Sequence, residues 1–241
     1  MGVLPRPGHC DAHRDREPSH DQIEQPPSFR GSHGRPGRIC CCDQNKIKIK
    51  YILNTHHHYD HVGGNKEIKK FYNSKILGFE NDKDRIPEID ILLKDQEVWK
   101  KDNFETKIFH IPGHTTGHIC YHFFNEKILF TGDTLFSLGC GKIFEGTYSQ
   151  MFKSLSLFKK FPLDTKIYCG HEYTLQNSKF CLQYDPQNKM LINKILEIKK
   201  NLSQGNPTLP STIKDELDCN IFLRANDVKS FSKLRDLKDN F

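Results

Sequence analysis

The sequence predicts a layered α/β fold in which two β-sheets lie between helices. Short apolar segments typical of strands alternate with amphipathic segments typical of helices between residues 46 and 173. Four of the strand-like segments end beside glycine in residue types that can bind a metal ion. After residue 173 the apolar spacing becomes helical, which indicates a small helical domain at the carboxyl end.

The strands are predicted from short apolar runs bounded by turn residues. In the first of them, apolar residues recur at every second position from Ile47 to Leu53, with lysines between the earliest ones. One face of this segment is therefore expected to be apolar. The other predicted strands cover residues 75–79, 97–111 as a hairpin, 118–124, 127–131 and 165–169.

The helices are predicted from capping residues and helical spacing. Asn65 is expected to cap a helix that runs to about Tyr72, with Ile68 and Phe71 facing inward. Ser149 is expected to cap the next helix. The later apolar helix faces are predicted to contain Phe152, Leu155 and Phe158, then Leu191, Ile195, Ile198 and Leu202, before a last basic helix at about 226–238.

The densest group of metal-binding residue types lies at residues 55–61, in the run THHHYDH. Histidines two apart on an extended segment point to the same side, so His56 and His58 face one point. Asp60 and His61 can then turn back toward it. Imidazole and carboxylate suit zinc, iron or manganese. A chance histidine run would lack this Asp-His pair and the glycines after it, so we interpret the run as a metal site.

Three later strand ends supply matching ligand types. His114, Asp133 and His171 each follow an apolar strand and lie next to a glycine. Binding sites in layered α/β folds form beyond the carboxyl ends of strands, so we expect these side chains to join the first four. Seven ligands exceed the needs of one tetrahedral ion and suit two ions about 3.5 Å apart. The two carboxylate oxygens of Asp133 make it the natural bridge.

Five motifs carry a resemblance to a known family: THHHYDH, HTTGH, FTGDTLF, GCGKIFEG and CGHEYT. They resemble the metallo-β-lactamase superfamily and, within it, glyoxalase II, the hydroxyacylglutathione hydrolases, from about residue 46 to the end. The resemblance implies an αββα sandwich over 46–173 and a helical glutathione-substrate domain over 174–241. It also implies two divalent metal ions, with zinc as first choice and iron or manganese as alternatives.

The resemblance assigns the metal ligands to two sets with a bridge. It implies that one ion is held by His56, His58 and His114, the other by Asp60, His61 and His171, with Asp133 shared. By the same resemblance His57 points away from the ions and His118 braces the ligand loop. His110 and His122 are interpreted as packing residues, and Cys140 as a structural thiol.

The resemblance also implies the reaction. The chain would hydrolyse an S-(2-hydroxyacyl)glutathione, such as S-D-lactoylglutathione, to glutathione and a 2-hydroxy acid in methylglyoxal detoxification. A metal-bound hydroxide would attack the thioester, with Asp60 and Asp133 as the catalytic carboxylates. Phe144 stands where the family has tyrosine, so one hydroxyl contact is expected to be lost. The substrate would be contacted by Lys142, Phe144, Tyr173, Arg235 and Lys238.

Composition restricts the partners and the compartment. No run of about 18 apolar residues is present, so no membrane association is expected. The nine cysteines show no CxxC spacing, which favours a reduced compartment, the cytoplasm first and the mitochondrion as alternative. The net charge of +6 comes from dispersed lysines, so no nucleic-acid partner is expected. We expect the binding partner to be a small-molecule thioester and the protein to be a monomer.

Residues 1–45 differ from the rest in composition. Pro, Gly, His and Arg dominate them, and they contain too few large apolar residues to offset the entropy of ordering. We therefore expect this segment to be disordered. Glyoxalase II has strands ahead of its first histidine motif, and residues 1–45 lack their alternating pattern. The N-terminal strands are thus expected to be missing, which would expose a sheet edge.

Three alternative hypotheses accompany the hydrolase. A persulfide dioxygenase of the same superfamily would use one iron and would not need the second ligand set. A nuclease of the superfamily would not need the glutathione-type carboxyl end. A non-catalytic or unstable variant would follow from an incomplete first sheet. Metal content distinguishes these hypotheses. About two ions per chain indicate the hydrolase, one ion indicates the dioxygenase, and little bound metal indicates a collapsed chain.

Overall fold

The computed structural model describes residues 47–241. The predictions of disorder and of missing strands for residues 1–45 lie outside the described residues. Residues 48–241 form one compact unit. Within residues 47–241, no helix is both long enough and apolar enough to cross a membrane.

The first sheet contains three parallel strands in the order β1-β2-β3. They are β1 (Tyr51–Leu53), β2 (Lys75–Phe79) and β3 (Ile91–Leu93). Parallel neighbours need a crossover connection, which helices α1 (Tyr59–Val62) and α2 (Asn65–Tyr72) form between β1 and β2. The predicted alternation from residue 47 gives regular strand only from Tyr51, so β1 is shorter than expected.

The second sheet has six strands in the order β11-β10-β7-β6-β5-β4. Strands β4 to β7 are antiparallel neighbours and β7 is parallel to β10, so β5, β7 and β10 run in one direction. Strands β8 and β9 form a separate hairpin. In chain order the strands are β4 (Val98–Lys101), β5 (Phe104–His110), β6 (Ile119–Phe123), β7 (Ile128–Gly132), β8 (Leu135–Phe136), β9 (Gly139–Cys140), β10 (Lys166–Cys169) and β11 (Ser211–Thr212).

Of the remaining α-helices in residues 47–241, one lies between β9 and β10 and four come after residue 173. They are α3 (Tyr148–Phe158), α4 (Thr174–Tyr184), α5 (Lys189–Ser203), α6 (Ile213–Cys219) and α7 (Val228–Asp239). Leu191, Ile195 and Ile198 of α5 are buried as predicted, but Leu202, one residue before the end of the helix, is 40% exposed.

Strand alternation separates the core into layers. Ile76 of β2 packs with Val62 of α1, whereas the next residue, Leu77, packs with Ile108 of β5 between the sheets. Phe109, the neighbour of Ile108, faces the helices on the far side of the second sheet. Successive side chains of a strand point to opposite faces, so each sheet buries one face on the other sheet and one on helices. The predicted αββα sandwich with a helical carboxyl end is confirmed.

The start of α2 differs from the prediction. The helix begins at Asn65 after Gly64, and no side chain caps it. The Asn65 side chain is buried and donates from Nδ2 to Oδ1 of Asn54 at 2.8 Å, so it is engaged elsewhere. Phe71, predicted to face inward, is 46% exposed. The predicted helix is confirmed, but the predicted cap by Asn65 and the predicted burial of Phe71 are wrong.

The cap of α3 also differs from the prediction. Thr147, not Ser149, caps the helix: its hydroxyl accepts the Gln150 N–H at 3.2 Å, and the Gln150 side chain accepts the Thr147 N–H at 2.9 Å. This reciprocal pair satisfies two free backbone groups at once. Phe152, Leu155 and Phe158 share the inward face as predicted.

Strand β1 forms one border of a groove. Within residues 47–241, β1 pairs only with β2, so its other edge meets no strand. Between that edge and the second sheet lies a groove of about 390 Å³, lined in part by Leu53, Phe123, Phe130 and Tyr168. Phe130 is 41% exposed there. The second sheet is therefore wider than the part of the first sheet that covers it.

Candidate metal centre

The first sheet delivers four of the predicted ligands at the end of β1. His56 follows the strand and is fully buried, and His58 precedes α1. Asp60 and His61 lie in α1, which Val62 anchors in the core. Thr55 Oγ1 lies 3.1 Å from His56 Nδ1, so this nitrogen is engaged and Nε2 remains for the site.

The second sheet delivers the other three predicted ligands. Strands β5, β7 and β10 run in one direction, so His114, Asp133 and His171 follow them at the same edge of the sheet. The backbone at position 170 approaches two of the ligands so closely that only glycine fits there. A Cβ on Gly170 would overlap Asp133 Oδ1 and lie 2.8 Å from His61 Cε1.

All seven predicted ligands meet in one cluster. His114 Nε2 lies 3.0 Å from His58 Nδ1 and 3.6 Å from Asp133 Oδ2. His171 Nε2 lies 3.1 Å from Asp60 Oδ2 and 3.3 Å from Asp133 Oδ2. Three groups have ligand atoms that all lie within 4.8 Å of one another: His56, His58 and His114; His56, His61 and Asp133; and Asp60, His61 and His171.

Unpaired buried atoms in the cluster indicate what it binds. His56 Nε2, His61 Nε2 and Asp133 Oδ1 are buried and have no hydrogen-bond partner among residues 47–241. Buried polar atoms are nearly always paired, so atoms that converge unpaired need another partner. Nitrogen and carboxylate donors at this spacing fit a divalent metal ion.

The pKa shifts of His56, His114 and Asp133 suit metal binding. Burial lowers the pKa of His56, and the nearby His118 and His61 lower it further. Burial likewise lowers the pKa of His114. Burial acts to raise the pKa of Asp133, but the nearby imidazoles of His171 and His61 hold it below its usual range. Neutral imidazole and ionised carboxylate are the forms that bind metals.

Two contacts orient the ligands from behind. His114 Nδ1 donates to the Lys142 carbonyl at 2.7 Å, which leaves Nε2 unprotonated toward the site. His118 Nε2 accepts the Asp133 N–H at 3.0 Å, and its ring stacks on His56 with centroids 4.6 Å apart. Burial lowers the pKa of His118 to about 3, which keeps it the acceptor for that N–H. His118 therefore lies where the sequence predicted a bracing residue.

Two family models match the chain. The metallo-beta-lactamase superfamily model covers residues 43–171, and the hydroxyacylglutathione hydrolase C-terminus model covers residues 172–241. The hydroxyacylglutathione hydrolase of Pelagibacter ubique (strain HTCC1062) is 65% identical over 199 residues, which are 83% of this chain and 83% of that protein. This chain belongs to the hydroxyacylglutathione hydrolase family. The resemblance predicted from the motifs is confirmed.

Other relatives agree with this assignment. The hydroxyacylglutathione hydrolase of Prochlorococcus marinus (strain MIT 9301) is 44% identical, over 82% of this chain and 81% of that protein. The crystal structure of ETHE1 from Myxococcus xanthus has a TM-score of 0.61 at 19% identity, over 83% of this chain and 74% of that one, and shows the shared fold. Family membership favours the hydrolase over the dioxygenase, nuclease and non-catalytic alternatives.

The chain also contains a polar network beside the ligand cluster, two of whose residues, Asp82 and Arg85, sequence reasoning missed. His57 points away from the ligand cluster, with Nδ1 3.3 Å from Asp82 and Nε2 3.3 Å from Glu145. Arg85 donates to both of these carboxylates. Glu145 also accepts the Thr116 N–H at 2.8 Å. His57, Thr116 and Glu145 lie in the motifs THHHYDH, HTTGH and GCGKIFEG, whereas Asp82 and Arg85 lie outside every recognised motif.

Three predicted substrate residues lie beside or near the cluster. Phe144 is 60% exposed and contacts the rings of His58 and His114 edge-on, at centroid distances of 5.6 and 5.2 Å. The exposed Lys142 places its ammonium 5.8 Å from the Phe144 ring centre. Tyr173 stacks on the imidazole ring of His171 at 5.1 Å.

Arg235 has partners within the protein. It is 4% exposed and donates from Nη1 to the Cys140 carbonyl at 2.8 Å and from Nη2 to Asp239 at 2.8 Å. Its guanidinium also lies over the Phe222 ring at 5.2 Å. Its contact with a substrate carboxylate stays a prediction, while the structure shows it supporting Cys140. Burial raises the pKa of the Cys140 thiol, which fits a structural role.

Lys238 lies between aromatic rings near the carboxyl end. Its ammonium is 5.2 Å from the Phe180 ring centre and 4.9 Å from that of Phe241. Burial lowers its pKa. Its predicted substrate contact also stays a prediction. His110 and His122, interpreted as packing residues, contact the rings of Phe79 and Phe161 at 4.6 and 4.7 Å.

Proposed function

We propose that this chain hydrolyses the thioester of an S-(2-hydroxyacyl)glutathione, such as S-D-lactoylglutathione, to glutathione and a 2-hydroxy acid. The 65% identity with the Pelagibacter hydroxyacylglutathione hydrolase carries the proposal. The match of residues 172–241 to the hydroxyacylglutathione hydrolase C-terminus model supports it as well. The reaction would serve methylglyoxal detoxification.

The proposed cofactors are two divalent metal ions, with zinc as first choice. His56, His58 and His114 would hold one ion and Asp60, His61 and His171 the other, a division supported by two of the three-residue groups in the cluster. Asp133 would be shared, because its Oδ1 faces His61 while its Oδ2 faces His114 and His171. When bound, such ions lower the pKa of a water molecule and polarise a carbonyl group.

The carboxylates have different exposures and therefore different proposed roles. The Asp133 side chain is 8% exposed and lies at the centre of the cluster, so it would hold the geometry. The Asp60 side chain is 47% exposed and lies 3.1 Å from His171. Asp60 would orient the attacking water at the solvent side of the site, since its second oxygen can accept a hydrogen bond.

The substrate side is proposed from charge and exposure. Glutathione carries two carboxylates and one ammonium, so its site needs a cation. The ammonium of Lys142 is exposed beside Phe144, which itself contacts two ligand rings. A carboxylate paired with Lys142 would place the thioester near the ligands. Tyr173, stacked on His171, would border the opposite side of the cluster.

Thioester hydrolysis tests the proposed function. The purified full-length chain, loaded with zinc, is expected to hydrolyse S-D-lactoylglutathione. Asp133→Ala is expected to abolish turnover, because it removes the carboxylate shared by three ligand histidines. Asp164→Ala is the matched control, since Asp164 lies on the surface, where it pairs with Lys127.

Metal content is measured on the same preparations. About two zinc ions per wild-type chain are expected, and fewer in Asp133→Ala. A folded, metal-loaded wild-type chain that fails to hydrolyse the thioester contradicts the proposed function. Turnover that persists in Asp133→Ala contradicts the proposed site.

A further inference from the structure

The β8–β9 hairpin connects two parts of the candidate site. It begins two residues after Asp133 and ends two residues before Lys142. At its turn Leu138 has φ of +58°, a conformation that costs free energy for a branched side chain. Such a turn persists only where its surroundings hold it, so its partners determine where the following residues lie.

The partners of this turn come from the helical carboxyl end. Glu216 of α6 accepts the Leu138 N–H at 2.8 Å. Asn220, just after α6, donates to the Gly139 carbonyl at 3.0 Å and to Glu216 at 2.9 Å. Asn177 of α4 donates to the Ser137 carbonyl at 3.1 Å. Glu216 and Asn220 are fully buried, so water does not replace these contacts.

The end of the hairpin leads directly to a ligand and to the substrate side. Gly141 packs so closely on Asp133 that a Cβ would overlap the Asp133 carbonyl oxygen. The next residue, Lys142, accepts the His114 Nδ1–H on its carbonyl at 2.7 Å. The Lys142 side chain then reaches the exposed side beside Phe144. A shift of the hairpin would move both the carbonyl and the ammonium of Lys142.

We propose that Glu216 is a positioning residue for the metal centre and the substrate site. Through the Leu138 amide it sets the turn of the β8–β9 hairpin. Through that hairpin it fixes the position of the Lys142 carbonyl, which orients His114. It also fixes the position of the Lys142 ammonium, which would contact the substrate. The substrate half of this inference rests on the proposed function, whereas the metal half does not.

Burial supports a specific role for this carboxyl group. A fully buried glutamate is rare unless it has a structural or functional reason. Burial raises the pKa of Glu216 to about 7. A leucine of similar size would fill the same space without a polar group, so the hydrogen bonds from Leu138 and Asn220 are what the glutamate adds.

Three variants test the inference. Glu216→Leu removes the acceptor for the Leu138 N–H, while Glu216→Gln keeps an amide oxygen that can accept it. Ile213→Ala is the matched control, because Ile213 lies in the same helix, is fully buried and packs in the core on the helical side of the second sheet. The zinc dissociation constant is measured by chelator competition. The absorption spectrum of the cobalt-loaded chain reports ligand geometry.

Glu216→Leu is expected to weaken zinc binding by about 10- to 100-fold and to change the cobalt spectrum. It should also raise KM for S-D-lactoylglutathione more than it lowers kcat. Glu216→Gln should stay close to wild type in zinc binding. Ile213→Ala should lower the thermal midpoint and leave zinc affinity and KM unchanged. If Glu216→Leu does not fold, Asn220→Ala is expected to show the same changes, since it removes the donor to Gly139.

Two results would overturn the inference. One is unchanged zinc affinity, cobalt spectrum and KM in a folded Glu216→Leu, or in Asn220→Ala where the first variant does not fold. The other is an equal change in Ile213→Ala, which would assign the effect to general loss of packing. A wild-type chain without any hydrolysis would contradict the proposed function alone, because zinc affinity and the cobalt spectrum need no turnover.

Discussion

At the residue scale, the site depends on close approaches that only small residues permit. Gly170 lies against Asp133 and His61, and no side chain fits between them. Asp133 in turn touches three histidines from different segments. Because these atoms are packed without spare room, a single added methyl group displaces ligands directly.

Gly170→Ala is expected to abolish stable metal binding and turnover. The new Cβ would overlap Asp133 Oδ1 and lie 2.8 Å from His61 Cε1, so at least one ligand must move. Zinc content after dialysis is the measurement. Gly64→Ala is the control, because its Cβ would lie in ordinary contact with Ile68 Cδ1, at 3.5 Å. Equal zinc content in Gly170→Ala and wild type would refute this geometry.

Glu216 gives a second residue-scale prediction, about pH. Its pKa is raised by burial to about 7 from an ordinary value of 4.5, so the folded chain holds this proton more tightly than the unfolded chain. Its contribution to the free energy of unfolding is full below pH 4.5 and is lost as pH rises toward 7. The loss is about 3.5 kcal/mol at most, from about 1.4 kcal/mol per pKa unit between 4.5 and about 7.

Urea unfolding of wild type and Glu216→Gln at several pH values measures this contribution of Glu216 to the free energy of unfolding. The difference between their unfolding free energies is expected to fall from pH 4.5 to pH 7, because glutamine does not titrate. All other titratable groups are the same in both proteins, so their contributions cancel in the comparison. A difference that stays constant over this pH range would show that burial does not raise the pKa of Glu216.

At the element scale, helix starts depend on hydrogen bonds that spacing alone does not identify. Asn65 and Ser149 are both good capping residue types just before apolar periodic segments. In the structure Asn65 pairs with Asn54 instead, and Thr147 caps α3 through Gln150. Apolar periodicity located these helices correctly, but competition between nearby polar side chains decided their first residues.

Thr147→Ala is expected to lower the free energy of unfolding by about 1 kcal/mol, the usual cost of losing a cap. Ser149→Ala, the control at the position that the sequence favoured, is expected to change it by less than about 0.5 kcal/mol. Urea unfolding of both variants gives the comparison. The opposite ranking would mean that Ser149 is the cap in solution.

At the scale of the whole molecule, the ligand cluster joins the two sheets. His56, His58, Asp60 and His61 follow β1 of the first sheet, whereas the other ligands follow β5, β7 and β10 of the second. An ion bound between them adds a connection across the sandwich. The open groove beside β1, where Phe130 is 41% exposed, lies on the same side of the fold as this junction.

Metal removal is therefore expected to lower the thermal midpoint of the whole chain. A ligand that binds only the folded state stabilises it by about 2.7 kcal/mol at a free concentration of 100 times its Kd. Calorimetry with a chelator, and then with added zinc, measures the loss and recovery. A midpoint unaffected by the chelator, with the metal shown to be gone, would mean that the sandwich holds together without it.

The sequence by itself determined the ligand types, the strand ends that carry them and the family. These features are local: alternation locates strands, and glycine next to histidine or aspartate marks their ends. The αββα order followed from the same periodicity and from the motifs. His56, His58, Asp60, His61, His114, Asp133 and His171 could all be named in this way.

Only the tertiary structure decided which distant groups support the site. The contact of Glu216 with Leu138 joins positions 78 residues apart, and the burial of Arg235 against Cys140 joins positions 95 apart. The network of His57, Asp82, Arg85 and Glu145 likewise crosses three loops. Such pairs leave no periodic signal, because hydrogen bonding between distant buried groups depends on packing that a linear pattern does not contain.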